Sequence, residues 1–146
     1  MNTEIIVTSL EHEELVDILS TALYGCNYLS VDLDDEFYNK IPEEKRQGHC
    51  VEDEAADILL NGGELKITDY EADGELYLNK LHPQKKGPYL DKAGRGVYFL
   101  TLQDFLWACS TERGYKLVNE VLDGTGDYFT ANNLLQIAMF GEEIYG

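Results

Sequence analysis

Residues 51–69 read VEDEAADILLNGGELKITD, and the pattern changes halfway along. Val51 to Leu60 reads as a helix, with Asn61-Gly62-Gly63 as its stop signal. Glu64 to Asp69, ELKITD, then alternates polar and apolar residues as a half-buried strand does. Glu75 to Leu81, ELYLNKL, repeats the alternation, and Glu71-Ala72-Asp73-Gly74 between them has hairpin-turn chemistry. A helix running directly into a hairpin predicts an α+β chain with a mostly antiparallel sheet.

The flanks extend this reading. Upstream, Glu4 to Thr8 predicts a short first strand. A helix follows, with Thr8 or Ser9 as its cap and Glu11 completing a capping box with Thr8. Leu15, Ile18, Leu19, Ala22 and Leu23 recur at helical spacing, and Gly25 can end the helix. Tyr28 to Leu33, YLSVDL, predicts a second strand, and the polar stretch from Asp34 to His49 predicts a loop with room for one helical turn. Downstream, His82 to Gly96 predicts a long loop and Val97 to Leu100 a buried strand. Thr101 caps a further helix, with Asp104 three residues on. Arg113-Gly114 breaks that helix, and Tyr115 to Leu122 continues it. Asp123 to Asp127 is a turn. Thr130 caps a last helix, ANNLLQIAMF, that Gly141 ends, and the tail EEIYG predicts a final short strand. The expectation is one α+β domain over 1–146 with about four helices and a basic loop inserted near 80–96.

Charge narrows the function classes. The chain has 146 residues, with 28 acidic and 11 basic side chains, a net charge of −17 and a pI near 4.3. So acidic a surface repels nucleic-acid phosphates and anionic membranes, and it steers basic partners toward itself. Direct nucleic-acid and membrane binding are therefore not expected. Cys26, Cys50 and Cys109 form no CxxC pair, which fits free, buried thiols in a reducing cytoplasm. No basic n-region precedes an apolar run at the N-terminus, so neither a signal peptide nor a membrane span is expected.

Four groups of residues can carry chemistry. The first is Asp32-Leu33-Asp34-Asp35-Glu36-Phe37, four carboxylates in six residues. Counted as an EF-hand loop from Asp32, it puts carboxylates at Asp34, Glu36 and Glu43. However, Phe37 takes the position that needs glycine, Lys40 is ninth, and a strand precedes it where a helix should. The preferred reading is a strand end entering an acidic surface loop, with Leu33 and Phe37 packed inward. The second group is Cys26, His49 and Cys50, which lack a fourth zinc ligand at any standard spacing. A Cys/His nucleophile pair has no local signature either, and His12 reads as solvent-exposed. Structural roles are preferred for all of these, with no metal or other cofactor.

The third group is a basic island. Residues 80–95 hold Lys80, Lys85, Lys86, Lys92 and Arg95 against one acid, Asp91. With Tyr89, and with Gly94 and Gly96 allowing close backbone approach, Lys85, Lys86, Lys92 and Arg95 form an alternative phosphate or nucleotide loop. Self-pairing with acidic residues, or plain exposure, is preferred over ligand binding. The fourth group is ten tyrosines, among them Tyr24, Tyr28, Tyr38, Tyr70, Tyr77, Tyr89 and Tyr98. Beside carboxylates, tyrosines suit a protein-binding surface, although most must serve packing. Trp107 lies at core-helix spacing with Phe105 and Leu106.

The Gly-Gly hairpin segment 62–78 and the ending TANNLLQIAMFGEEIYG resemble a group of small acidic proteins encoded by phages and prophages. A helix, a Gly-Gly hairpin and an ending of the form LQxAxFGExxYG recur there in order, and the basic loop looks like an insertion. The resemblance implies a bacterial host cell and carries over no catalytic residue. The expectation is a noncatalytic, cytoplasmic inhibitor of a basic host protein, an anti-defence factor that substitutes carboxylates for nucleic-acid phosphates. Its expected face is Asp32, Asp34, Asp35, Glu36, Glu52, Asp53 and Glu54. The alternatives are a nucleotide-binding module using the 80–96 loop, a small metal-dependent enzyme using residues 32–36, and a homodimer with a structural or regulatory role.

Overall fold

The computed structural model describes residues 6–23, 26–48, 50–71 and 89–145. Among them are four strands and six α-helices. Strand β1 (Leu29–Asp32), β2 (Glu64–Asp69), β3 (Tyr89–Leu90) and β4 (Gly96–Thr101) form one antiparallel sheet in the order β1-β2-β4-β3. The helices are α1 (His12–Leu23), α2 (Asp35–Lys40), α3 (Val51–Leu60), α4 (Leu102–Cys109), α5 (Glu112–Leu122) and α6 (Tyr128–Phe140). The α+β class and the antiparallel sheet are as the sequence predicts, and the helix count is higher.

The sheet is two-faced because its register is. Leu65 pairs with Leu100 and Ile67 with Tyr98, and all four are buried against the helices. Alternate positions, Asp32, Lys66 and Phe99, form a row on the opposite face. One core joins sheet and helices, and the Tyr98 hydroxyl donates to the Ala138 carbonyl at 3.2 Å to tie β4 to α6. Helix α6 is buried nearly all round, including Asn132 and Gln136, so its apolar residues follow no single stripe.

The stretch 51–69 folds as read, with α3 and β2 at the predicted bounds. Gly62 takes φ +89°, where a side chain would be strained. At Gly63 a Cβ would lie 2.7 Å from both the Phe37 ring and Ile58, so only glycine lets α2 approach α3. Thr101 and Asp104 form the expected capping box of α4.

Elsewhere the chain departs from expectation. Helix α1 starts at His12, and the Glu11 amide is bonded by the Glu14 carboxylate, so neither Thr8 nor Ser9 caps it. Residues 6–8 are not strand, and residues 4–5 lie outside the described residues, as does the predicted strand 75–81. The loop 34–48 holds more helix than the one turn expected: α2, capped by Asp34, and a 3-10 turn, Glu43–Lys45. Part of the loop 82–96 is β3. The break between α4 and α5 falls at Ser110-Thr111, where Thr111 caps α5. A Cβ on Gly114 would lie 1.8 Å from the Ala108 carbonyl, so that glycine permits the close turn. Asp127 rather than Thr130 is the cap of α6, and Thr130 completes its box from the third position. The tail is not a strand. It is held by side chains, chiefly Gln136.

Candidate functional site: an acidic face beside α2 and α3

Strand β1 ends at Asp32, and the chain turns at once into α2. The Asp34 carboxylate accepts from the Phe37 amide at 3.0 Å, satisfying a helix-end donor. Asp35 and Glu36 then fall in the first turn, where the helix dipole favours them. Leu33 and Phe37 pack against the core, as predicted, so the backbone geometry that buries them points Asp32, Asp34, Asp35 and Glu36 outward. The opening run is thus a strand end and a capped helix start. A helix over Asp35–Lys40 is incompatible with an EF-hand loop.

Helix α2 packs on α3 and brings two acidic segments together. Burial, and then the charge of Asp35, hold the Glu54 carboxyl above its ordinary value. Asp53 behaves differently from its neighbours. Its Oδ2 accepts from the Cys50 thiol at 3.0 Å, and its Oδ1 lies 3.7 Å from His12 Nε2. Of the predicted face residues on α3, Glu52 and Glu54 therefore extend the acidic surface, while Asp53 serves local structure.

One fully buried acid, Asp57, lies outside the predicted face. Asp57 is 0% exposed, with its Oδ1 3.3 Å from His12 Nε2 and its Oδ2 accepting from the Gln47 amide at 3.0 Å. His12, expected on the surface, is buried between α1 and α3. Its spacing to Leu15, Leu19 and Ala22 puts it on the inward stripe of α1, and that periodicity is the signal that could have found it.

The thiols are poorly placed for nucleophilic work. The hydrogen bond to Asp53 raises the Cys50 thiol above its ordinary value. Burial, with a lesser contribution from Glu14, pushes Cys109 up to about 12. Of the thiols expected to be buried, only Cys109 is: Cys26 is half-buried and Cys50, at the start of α3, is exposed, and His49 lies outside the described residues. Among the described residues, no group of three or more His, Cys, Asp or Glu side chains is arranged to hold a metal ion.

In the basic segment, Lys80, Lys85 and Lys86 lie outside the described residues. Lys92 is exposed, as is Tyr89. Arg95 pairs with Asp91 at 3.4 Å and lies over the Tyr70 ring at 5.5 Å. The Asp91 carboxylate also accepts from the amides of Ala93 and Arg95, at 2.9 and 2.8 Å. The Gly94 amide donates to the Asp91 carbonyl at 3.0 Å. These donors, which a phosphate would need, already serve the chain's own acid.

The cavities among the described residues include one away from the acidic face and one beside it. One of about 640 Å³ lies between residues 7–8 and α4, lined by Gln103, Trp107 and Ser110 among others. Its polar groups hold local backbone: Asp104 Oδ2 accepts from the Thr101 amide, and the Ser110 hydroxyl bonds to Leu106 and Val7. The other, about 220 Å³, is lined by Asp32, Leu33, Asp34, Glu64, Lys66 and Phe99, and it adjoins the acidic run. No helix among the described residues is long and apolar enough to cross a membrane. Comparison with protein-family models, with curated proteins and with solved structures returns no match.

Proposed function

We propose that this chain is a noncatalytic binding protein that presents the carboxylates of Asp32, Asp34, Asp35, Glu36, Glu52 and Glu54 to a basic protein. The observation that carries the reading is the packing of α2 on α3, with Phe37 against Gly63, which joins two acidic segments into one surface and lets the Asp35 charge bear on Glu54. Like charges brought together cost stability, so an opposite charge arriving from a partner is favoured there. In a bacterial host cell such a face would occupy a nucleic-acid-binding protein in place of phosphates, and the chain would act as a phage or mobile-element inhibitor. The upward-shifted Cys50 and Cys109 thiols, which stay protonated near neutral pH, support a role without chemistry, and the turn donors engaged by Asp91 favour it over a nucleotide module.

The test is capture from bacterial lysate at low and high salt, followed by association kinetics with the captured protein. Attraction between such surfaces weakens as the Debye length shortens to about 8 Å at physiological ionic strength. The expected partner is basic, with an on-rate that falls as salt rises. Equal capture by wild type and by the Asp32→Asn/Asp35→Asn/Glu36→Gln variant would remove the reading.

A further inference from the structure

We propose that the open edge of β1 docks an extended basic segment of the partner protein as an added strand. This rests on the acidic-binding reading above and names how that partner is held. The sheet order β1-β2-β4-β3 puts β1 at an edge, with no strand on its far side among the described residues. The alternation of the ladder decides which main-chain groups face that side. The Tyr70 amide donates to the Tyr28 carbonyl at 2.8 Å, so these two opposite residues are hydrogen-bonded. The same register continues from Leu29 opposite Asp69 to Asp32 opposite Lys66. Bonded and non-bonded pairs alternate in an antiparallel ladder. Ser30 and Asp32 therefore bond to β2, and Leu29 and Val31 turn their N–H and C=O groups outward. Such a row is a template for a further strand.

The surroundings of the edge select the occupant. Side chains of neighbouring strands lie beside one another on each face of a sheet. Asp32 is exposed and has Lys66 opposite it on β2. A basic residue on its edge side completes an alternating row of charge. Chain continuing past that residue runs alongside exposed Asp34, Asp35 and Glu36, so more basic residues are favoured there. On the helix side, Val31 is half-buried against the core, and an apolar residue opposite it extends that core. An antiparallel strand, matching the rest of the sheet, thus carries its basic residues toward its N-terminal end and apolar ones opposite Val31 and Leu29. A second copy of β1 is a poorer occupant, since it sets two chains of net charge −17 edge to edge.

The experiment uses the full chain and a capped peptide reading lysine, threonine, lysine, valine, threonine, valine. Binding is read at low salt by calorimetry and by NMR-detected hydrogen exchange. Exchange should slow at the Leu29 and Val31 amides, and change less at Ser30 and Asp32, which already serve β2. N-methylation of the first valine removes a donor aimed at β1 and should weaken binding about fivefold. N-methylation of the second threonine removes a donor that points away, and should cost about twofold or less. All changes are on the peptide, so the fold of the protein is untouched. Equal losses from the two N-methylated peptides, or unchanged exchange at Leu29 and Val31, overturn strand docking and leave the acidic-face reading standing. No binding by the lysine peptide also overturns it, and lysate capture then decides the acidic face alone. Equal binding by a peptide with glutamate in place of both lysines removes both readings. Protection of Leu29 and Val31 that grows with protein concentration alone gives the edge to a second copy and overturns the proposal.

Discussion

Helix α6 and the acidic face handle polar groups in opposite ways. On α6, Asn132 and Gln136 are buried and bonded throughout. Asn132 accepts from the Tyr28 hydroxyl at 2.6 Å and donates to the Ala22 carbonyl at 3.2 Å. Gln136 donates to Asn132 at 2.9 Å and accepts from the Ile144 and Tyr145 amides, both at 2.8 Å. The Tyr145 hydroxyl reaches Asp69, whose other oxygen accepts from the Glu71 amide at 2.9 Å. Burial raises the Tyr28 phenol to about 12, keeping it protonated and donating. On the face, by contrast, the carboxylates are exposed or half-buried, with contacts that are local: Asp34 caps α2, and Glu36 lies 3.7 Å from Lys40 Nζ. The interior network fixes the fold, since an unmet buried polar group is costly. The surface charges lack that role, which leaves them available to a partner.

The comparison can be broken at four places. Gln136→Ala should have the largest effect, because it strips the tail amides and Asn132 of partners at once. We expect a loss of about 3 kcal/mol in urea unfolding, and a loss under 1 kcal/mol would mean the network is not structural. Next is His12→Ala, which leaves buried Asp57 facing an empty position between α1 and α3. About 2 kcal/mol is expected, with stability restored in part by adding Asp57→Asn.

The third test is acid titration. The Thr130 amide and hydroxyl hold the Asp127 carboxyl below its ordinary value of 3.8. Its folded pKa is thus below its unfolded one, so its contribution is present above 3.8 and is lost as pH falls through the folded value. Asp127→Asn keeps a capping side chain without that titration, and its stability curve should be flatter in the same window. An unchanged acid limb would sink the assignment.

The smallest effect on stability is expected at the face. Glu54 has a raised pKa, so its charged form is disfavoured in the fold, and that cost grows as pH rises above its ordinary range. Glu54→Gln should therefore be neutral or stabilising at pH 7, within about 0.5 kcal/mol. Partner association should nevertheless slow. A large loss of stability would show that the face is structural after all.

Much of this architecture was legible in the sequence where period and punctuation agree. Helix α3 and strand β2 matched because Asn61-Gly62-Gly63 separates a helical run from an alternating one. Helix α2 was legible only as one helical turn of unplaced bounds, because six residues give too little periodicity and its cap is itself one of the acidic run. The cap of α6 was misplaced because Asp127 and Thr130 are both good caps, and only geometry ranks them. The tail EEIYG reads as a short strand, but Gln136, eight and nine residues upstream, satisfies the Ile144 and Tyr145 amides. At the site, the outward acids of 32–36 were legible from Leu33 and Phe37. The inward turn of Asp53 and Asp57 was not, since it depends on His12 arriving from another helix.

The proximity of Asp35 to Glu54 has a consequence for how association would be measured. A carboxyl held above its ordinary value keeps part of its proton in mildly acidic solution. A cation settling nearby pulls that value down, and the proton leaves for the buffer. Complex formation is then coupled to proton release, so the heat observed should vary with the buffer's ionisation enthalpy, and affinity should rise with pH across the same interval. The acidic face would therefore announce an occupied state through the solvent, by a proton count that Glu54→Gln abolishes.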